Sequence, residues 1–126
     1  MSDVVKIRLA EKIQLDQVRL DALYSQLGAA GAETVVCRAM EELAVRLSEC
    51  STLWRESSLI RLRKHARSLI AISDQIGMHM LAQVAADVTA ALDAKDEVAV
   101  AATLSRMLRI GERSLTAMWA MEDMSI

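Results

Sequence analysis

The apolar positions in the middle of the chain repeat with the period of an α-helix. Between about residues 32 and 56 they recur at spacings of 4, 3, 4, 3 and 4. These positions are Val36, Met40, Leu43, Leu47, Cys50 and Trp54. Such spacing draws one stripe along a helix, whereas a strand would need strict alternation. We therefore expect one long helix in this part of the chain.

Further stripes with helical spacing flank this segment on both sides. The five predicted helices cover about residues 4–27, about 32–56, the stretch from a capping Ser57 or Ser58 to Gly77, about 78–92 and about 97–119. Glycine adopts the left-handed conformation that ends many helices, so the first helix is expected to stop at "LGAAG". Asp96, in the polar turn "DAKDE", is expected to cap the last one.

Gly111 lies inside the fifth predicted helix rather than at its end. It falls on the apolar stripe that is otherwise formed by Ala101, Leu104, Leu108, Leu115 and Met118. A glycine within a helix costs about 1 kcal/mol relative to alanine, so a packing reason is expected. The missing side chain would let a neighbouring helix approach closely at this point.

These elements predict an all-α fold. Short connections between antiparallel neighbours favour an up-down-up-down four-helix bundle, with the additional N-terminal helix as a cap or extra layer. The 126 residues suit a single domain, 1–126, with its own core. The chain has no phenylalanine and few aromatic residues, so Leu, Val, Ile, Met and Ala must fill that core.

Charge and cysteine content argue against several classes of function. The net charge of −2 offers no overall attraction to nucleic acid or to an anionic membrane. The first residues show neither a signal peptide nor a membrane span, so we expect a cytoplasmic protein. Cys37 and Cys50 lie about 20 Å apart along one helix, too far for a disulfide. Potential ligand residues are too scattered for a metal site, and no cofactor is predicted.

The segment "RSLIAISDQIG", residues 67–77, resembles the signature of histidine phosphotransfer (HPt) domains, the helical carriers of two-component phosphorelays. That signature is a histidine, then Leu-Lys-Gly, then Leu-Gly about six residues further on. Leu69 falls on its leucine, and Ile76 and Gly77 fall on its closing pair. The similarity in apolar pattern and element length covers roughly residues 15–118. It implies an HPt-like bundle whose partner is a response-regulator receiver domain or a histidine kinase.

The residues that carry phosphotransfer in this family are replaced here. The phosphoaccepting histidine falls on Arg67, the lysine on Ile70 and the small glycine on Ala71. Phosphotransfer needs a neutral imidazole nitrogen that is open to solvent, whereas a guanidinium stays protonated and is a poor nucleophile. The resemblance therefore implies a non-catalytic adaptor, with Arg67, Ile70 and Ala71 in its partner-binding surface.

Two histidines are alternative phosphoacceptors. Helix geometry places His65 at the edge of the buried stripe and Arg67 on the solvent face. His65 is therefore either a boundary histidine satisfied by a neighbouring helix or water, or the acceptor of an active phosphotransfer protein. His79 would need a rearranged active face.

The run "RLRKHAR", residues 61–67, places Arg63, Lys64 and Arg67 on the outer arc of the third predicted helix. It is either a solvated basic face or a surface that docks onto the acidic metal-binding pocket of a receiver. A different class of function also remains open. The chain would then be a helical interaction or dimerisation module unrelated to phosphorelays, with the stripe on residues 36–54 as the seam of a homodimer.

Overall fold

A computed structural model of the protein describes residues 13–124, with side chains as far as residue 121. This part of the chain is all-helical and contains no strand. Its four helices are α1 (Gln17–Arg55), α2 (Leu59–Gln75), α3 (His79–Asp93) and α4 (Glu97–Met124). None of the described helices combines the length and the apolar character needed to cross a membrane.

Helix α1 joins two segments that the sequence predicted as separate helices. Its helical conformation is broken at Gly28, which has φ 74° and ψ 168°, and it resumes at once. The gap expected up to residue 32 is therefore absent. Residues 13–16 are not helical, and the remainder of the predicted start lies outside the described residues. One kinked helix thus stands where two were expected.

The three connections between helices have the same length and the same hydrogen bonds. They are Glu56–Ser58, Ile76–Met78 and Ala94–Asp96, and in each the middle residue is left-handed. Its N–H donates to the carbonyl three residues earlier, and the next N–H donates to the carbonyl five residues earlier. This is the Schellman motif, which satisfies the last carbonyls of a helix. The predicted cap is also confirmed, since Asp96 accepts from the Ala99 N–H at 3.0 Å.

Glycine fills the left-handed position at Gly77, whereas Ser57 and Lys95 fill the other two at φ 58° and φ 54°. A residue with a Cβ is strained there by about 1 kcal/mol. We expect Ser57→Gly and Lys95→Gly each to raise the free energy of unfolding by up to about 1 kcal/mol in urea denaturation. The gain is reduced because glycine also increases the entropy of the unfolded chain. Gly77→Ala should lower stability, and a stabilising Gly77→Ala would contradict this account.

The helices enclose one core. Each packs against the next along the chain, and α4 also packs against α1. The predicted stripe of α1 is buried from Val36 to Cys50, and Trp54 is half-buried. This stripe therefore packs in the core of the single chain, and the homodimer stays a prediction.

The inner side of α4 differs from the prediction by one position. Ala101 is exposed, and Leu108 and Leu115 are only half-buried. The residues that are buried are Val100, Leu104, Met107, Ile110, Gly111, Ser114 and Met118. Both stripes share Leu104, Gly111 and Met118. The sequence favoured the wrong one because its other members include no polar residue, whereas the true stripe buries Ser114.

Candidate functional site

Arg67 lies on the solvent face of α2, as its spacing predicted. Leu62, Ala66 and Leu69 are completely buried, so they fix the rotation of the helix. That rotation exposes four residues at spacings of 4, 3 and 4, which we call the α2 face. They are Ile60, Lys64, Arg67 and Ala71. Among the described residues, Lys64 and Arg67 have no hydrogen-bond or salt-bridge partner, which leaves two cations on this face for a ligand.

Arg63 differs from its basic neighbours because it is bound to α3. Its Nε lies 2.7 Å from Oδ1 of Asp93, and its second nitrogen lies 3.1 Å from Oδ2, in a forked pair. The hydrogen bond with Arg63 lowers the pKa of Asp93, and the charge of Arg67 lowers it further. Arg63 was predicted to contact a partner, and in the structure its charge is already paired with Asp93 between α2 and α3. The edge of the α2 face is thereby held in place.

The two other replaced motif positions differ in exposure. Ile70 is half-buried against the core, so an apolar side chain stands where the family's lysine would be. Ala71 is exposed and lies one turn after Arg67 on the same side of the helix. Its methyl group therefore borders the approach to position 67. The structure places Arg67 and Ala71 together, and Ile70 beside them but turned partly inwards.

His65 is half-buried and faces α1. Its Nδ1 lies 3.2 Å from a guanidinium nitrogen of Arg46, which also pairs with Glu42 at 2.9 Å. Burial lowers the pKa of His65, and the positive charge of Arg46 lowers it further. Since a guanidinium only donates, the Nδ1 lone pair accepts from it. This geometry favours the boundary histidine over the phosphoacceptor, because the nucleophilic lone pair is already used.

His79 lies in the first turn of α3 and has a carboxylate on each ring nitrogen. Nδ1 is 2.8 Å from Oδ1 of Asp74, and Nε2 is 2.7 Å from Oδ2 of Asp16. The hydrogen bond with Asp74 and then that with Asp16 raise the pKa of His79. A protonated ring with both nitrogens engaged has no lone pair to attack a phosphoryl group. His79 is thus unsuited to be the acceptor in this arrangement.

Sequence reasoning missed an apolar pocket of about 640 Å³ next to the α2 face. It lies where the α1–α2 and α3–α4 connections come together, and its lining includes Trp54, Leu59, Ile60, Leu92 and Val100. Ile60 belongs to both surfaces and is 87% exposed. Four helices contribute to this pocket, so a local pattern can indicate only part of it. The two large apolar residues directly after Ser58 were the signal available in the sequence.

The described residues offer little else for metal binding or for cysteine chemistry. The described residues hold no group of three or more His, Cys, Asp or Glu side chains placed to bind a metal ion. Both cysteines are free thiols, and burial raises the pKa of Cys50 to about 11, which makes its thiol unreactive. Comparison with family models, with curated proteins and with solved structures gives no match.

Proposed function

We propose that the protein is an HPt-like adaptor of cytoplasmic two-component signalling. It binds a receiver domain or a histidine kinase through the α2 face and carries no phosphate at the usual position. The observation that carries the proposal is Arg67, which is exposed on α2 where the resembling motif has its histidine. Four helices with three-residue connections support the up-down-up-down bundle that this function implies.

The charges of the α2 face suit an acidic partner. Receiver domains, by the resemblance, present carboxylates around a phosphorylatable aspartate. Arg67 would enter that pocket in place of the histidine and pair with carboxylates in a forked geometry. Lys64 adds a second cation. The Arg63–Asp93 pair, which holds α2 against α3, is already formed before the partner binds. Ile60 and Ala71 supply apolar contact at the two ends of the face.

Arg67→Glu tests the proposal. Folding should be nearly unchanged, within about 0.5 kcal/mol, because the side chain is exposed and lies away from the helix ends. Binding to the cognate receiver should weaken by about 2 kcal/mol, or roughly 30-fold, since a desolvated ion pair is replaced by repulsion. Titration calorimetry at low salt against the receiver domains and kinases of the same cell measures this change.

Arg38→Glu is the matched control, since Arg38 is exposed on α1 and the charge change is identical. It should bind within about twofold of wild type, a difference of about 0.4 kcal/mol. Equal binding of Arg67→Glu and wild type to the same receiver would refute the docking role of Arg67. Failure of the wild-type chain to bind any receiver or kinase of that cell would refute the proposed function as a whole.

A further inference from the structure

The segment before α1 is fastened to the connection between α2 and α3. We call residues 13–16 the N-terminal strap. The Asp16 N–H donates to the Gly77 carbonyl at 2.9 Å, and Arg19, in the first turn of α1, donates from Nε to the Gln75 carbonyl at 3.0 Å. Ile13 and Leu15 are half-buried against the core. The strap therefore covers apolar surface as well as making polar contacts.

Gly77 allows the strap to come this close. A Cβ at position 77 would lie 2.9 Å from the Asp16 carbonyl oxygen and 3.3 Å from its nitrogen. The φ of +79° independently favours glycine at this position. Asp16 also caps α1, since its Oδ1 accepts from the Arg19 N–H at 3.0 Å. The Asp16 carboxylate thus caps α1 through Oδ1 and contacts His79 through Oδ2.

His79 can make both of its carboxylate contacts only as a cation. A neutral imidazole has one N–H and one bare nitrogen, and a bare nitrogen facing a carboxylate is repelled rather than bonded. The contacts of 2.7 Å to Asp16 and 2.8 Å to Asp74 therefore require the imidazolium, which donates from both nitrogens. Loss of that proton must break one of the two hydrogen bonds.

The charged groups around the ring come from each neighbouring element. Asp16 belongs to the strap, Asp74 to the last turn of α2, and Arg19 to the first turn of α1. At the far end of the strap, Ile13 lines a pocket together with Arg109, Glu112 and Arg113 of α4. Among the described residues, a carboxylate faces each ring nitrogen, so the surroundings favour the charged form of His79.

We infer that Asp16, His79 and Asp74 form a pH-operated latch, which holds the strap most firmly across this end of the molecule when His79 is protonated and loosens it when the proton is lost. The inference does not depend on receiver binding. Asp74, then Asp16, raise the pKa of His79 above 6.5, so the latch is fully closed below about pH 6.5 and opens as the pH rises through the raised value. On the acid side, His79 lowers the pKa of Asp16 below 3.8, so protonation opens the latch only under more acidic conditions.

Two NMR measurements on the full chain test the latch together. The first is the titration of the His79 ring, whose pKa should lie above that of His65. The second is solvent exchange of the Asp16 amide, corrected for its intrinsic rate, at pH 5.5 and pH 8.5. By linkage, its protection should fall tenfold for every pH unit by which the His79 pKa exceeds 6.5. Protection of the Lys95 amide, which donates to the Leu92 carbonyl in the α3–α4 connection, should not change over the same range, because local opening there does not release His79.

Three variants distinguish the latch from a general effect of pH. His79→Gln should abolish the pH dependence at Asp16, because glutamine does not titrate. His79→Lys keeps a cation at pH 8.5 and should hold the protection there. The control His65→Gln should leave the pH dependence as in wild type. Asp16 protection that is equal at both pH values, or that still depends on pH in His79→Gln, would overturn the inference.

Discussion

The combined substitution Arg67→His, Ile70→Lys and Ala71→Gly should convert the protein into a phosphate acceptor. Position 67 is exposed, so an imidazole there is open to the in-line approach of a receiver aspartyl phosphate. Glycine at position 71 removes the methyl group one turn away on the same face, and lysine at position 70 brings a cation to the developing charge. Transfer of radiolabelled phosphate from phosphorylated receivers should rise from none in wild type to a rapid reaction.

The single variant Arg67→His measures how much the histidine contributes without the lysine and the glycine. It should be labelled about 100-fold more slowly than the triple variant, because one preorganised electrostatic contact is worth about that factor in rate. The label should be acid-labile, as expected of phosphohistidine, and His65→Gln in the triple background should leave it unchanged. Labelling of wild type that His65→Gln or His79→Gln removes would show that the chain already has an acceptor.

Much of the helical organisation could be predicted because it depends on neighbours in sequence. Stripes with a period of 3.6 residues predicted that Arg67 faces outwards. Polar turns marked the ends of two helices, and Gly77 marked the end of a third. The type of turn could not be predicted at two of the three connections. Ser57 and Lys95 occupy left-handed positions there, where glycine is the usual residue. Conversely, the two glycines in "LGAAG" predicted the end of a helix, but the structure has only a kink at Gly28. Helix-favouring alanines around them let the helix continue.

The contacts that shape the candidate site could not be predicted because they are distant in sequence. The Arg63–Asp93 pair spans 30 positions, and the His79–Asp16 pair spans 63. Each partner, taken alone, resembles an ordinary surface charge or a helix cap. Only the packing of α3 against α2 and the position of the strap bring the partners together. Local patterns therefore located Arg67 on the solvent face correctly, but they gave no sign of the carboxylate partners of Arg63 and His79.

The packing around Gly111 confirms that a neighbouring side chain lies close to this glycine. The close approach expected at this glycine is real: a Cβ at position 111 would lie 2.5 Å from Cδ1 of Leu47 and 2.9 Å from its Cδ2. Gly111→Val should lower the free energy of unfolding by about 2–3 kcal/mol, because the added branches force α1 and α4 apart or drive Leu47 from its rotamer. The better helix propensity of valine offsets only about 0.5 kcal/mol. Urea denaturation measures the loss as a lower midpoint at constant slope.

A variant of Leu47 tests whether its side chain causes this destabilisation. Leu47→Ala removes the atoms that a side chain at position 111 would meet, so the double variant should be more stable than the sum of the single effects by about 1 kcal/mol or more. Ala101→Val makes a matched addition on the exposed side of the same helix and should cost about 0.5 kcal/mol at most. Strict additivity of Leu47→Ala and Gly111→Val would mean that the glycine serves some other need. A positive coupling would establish that the Leu47 side chain fills the space that a side chain at position 111 would need.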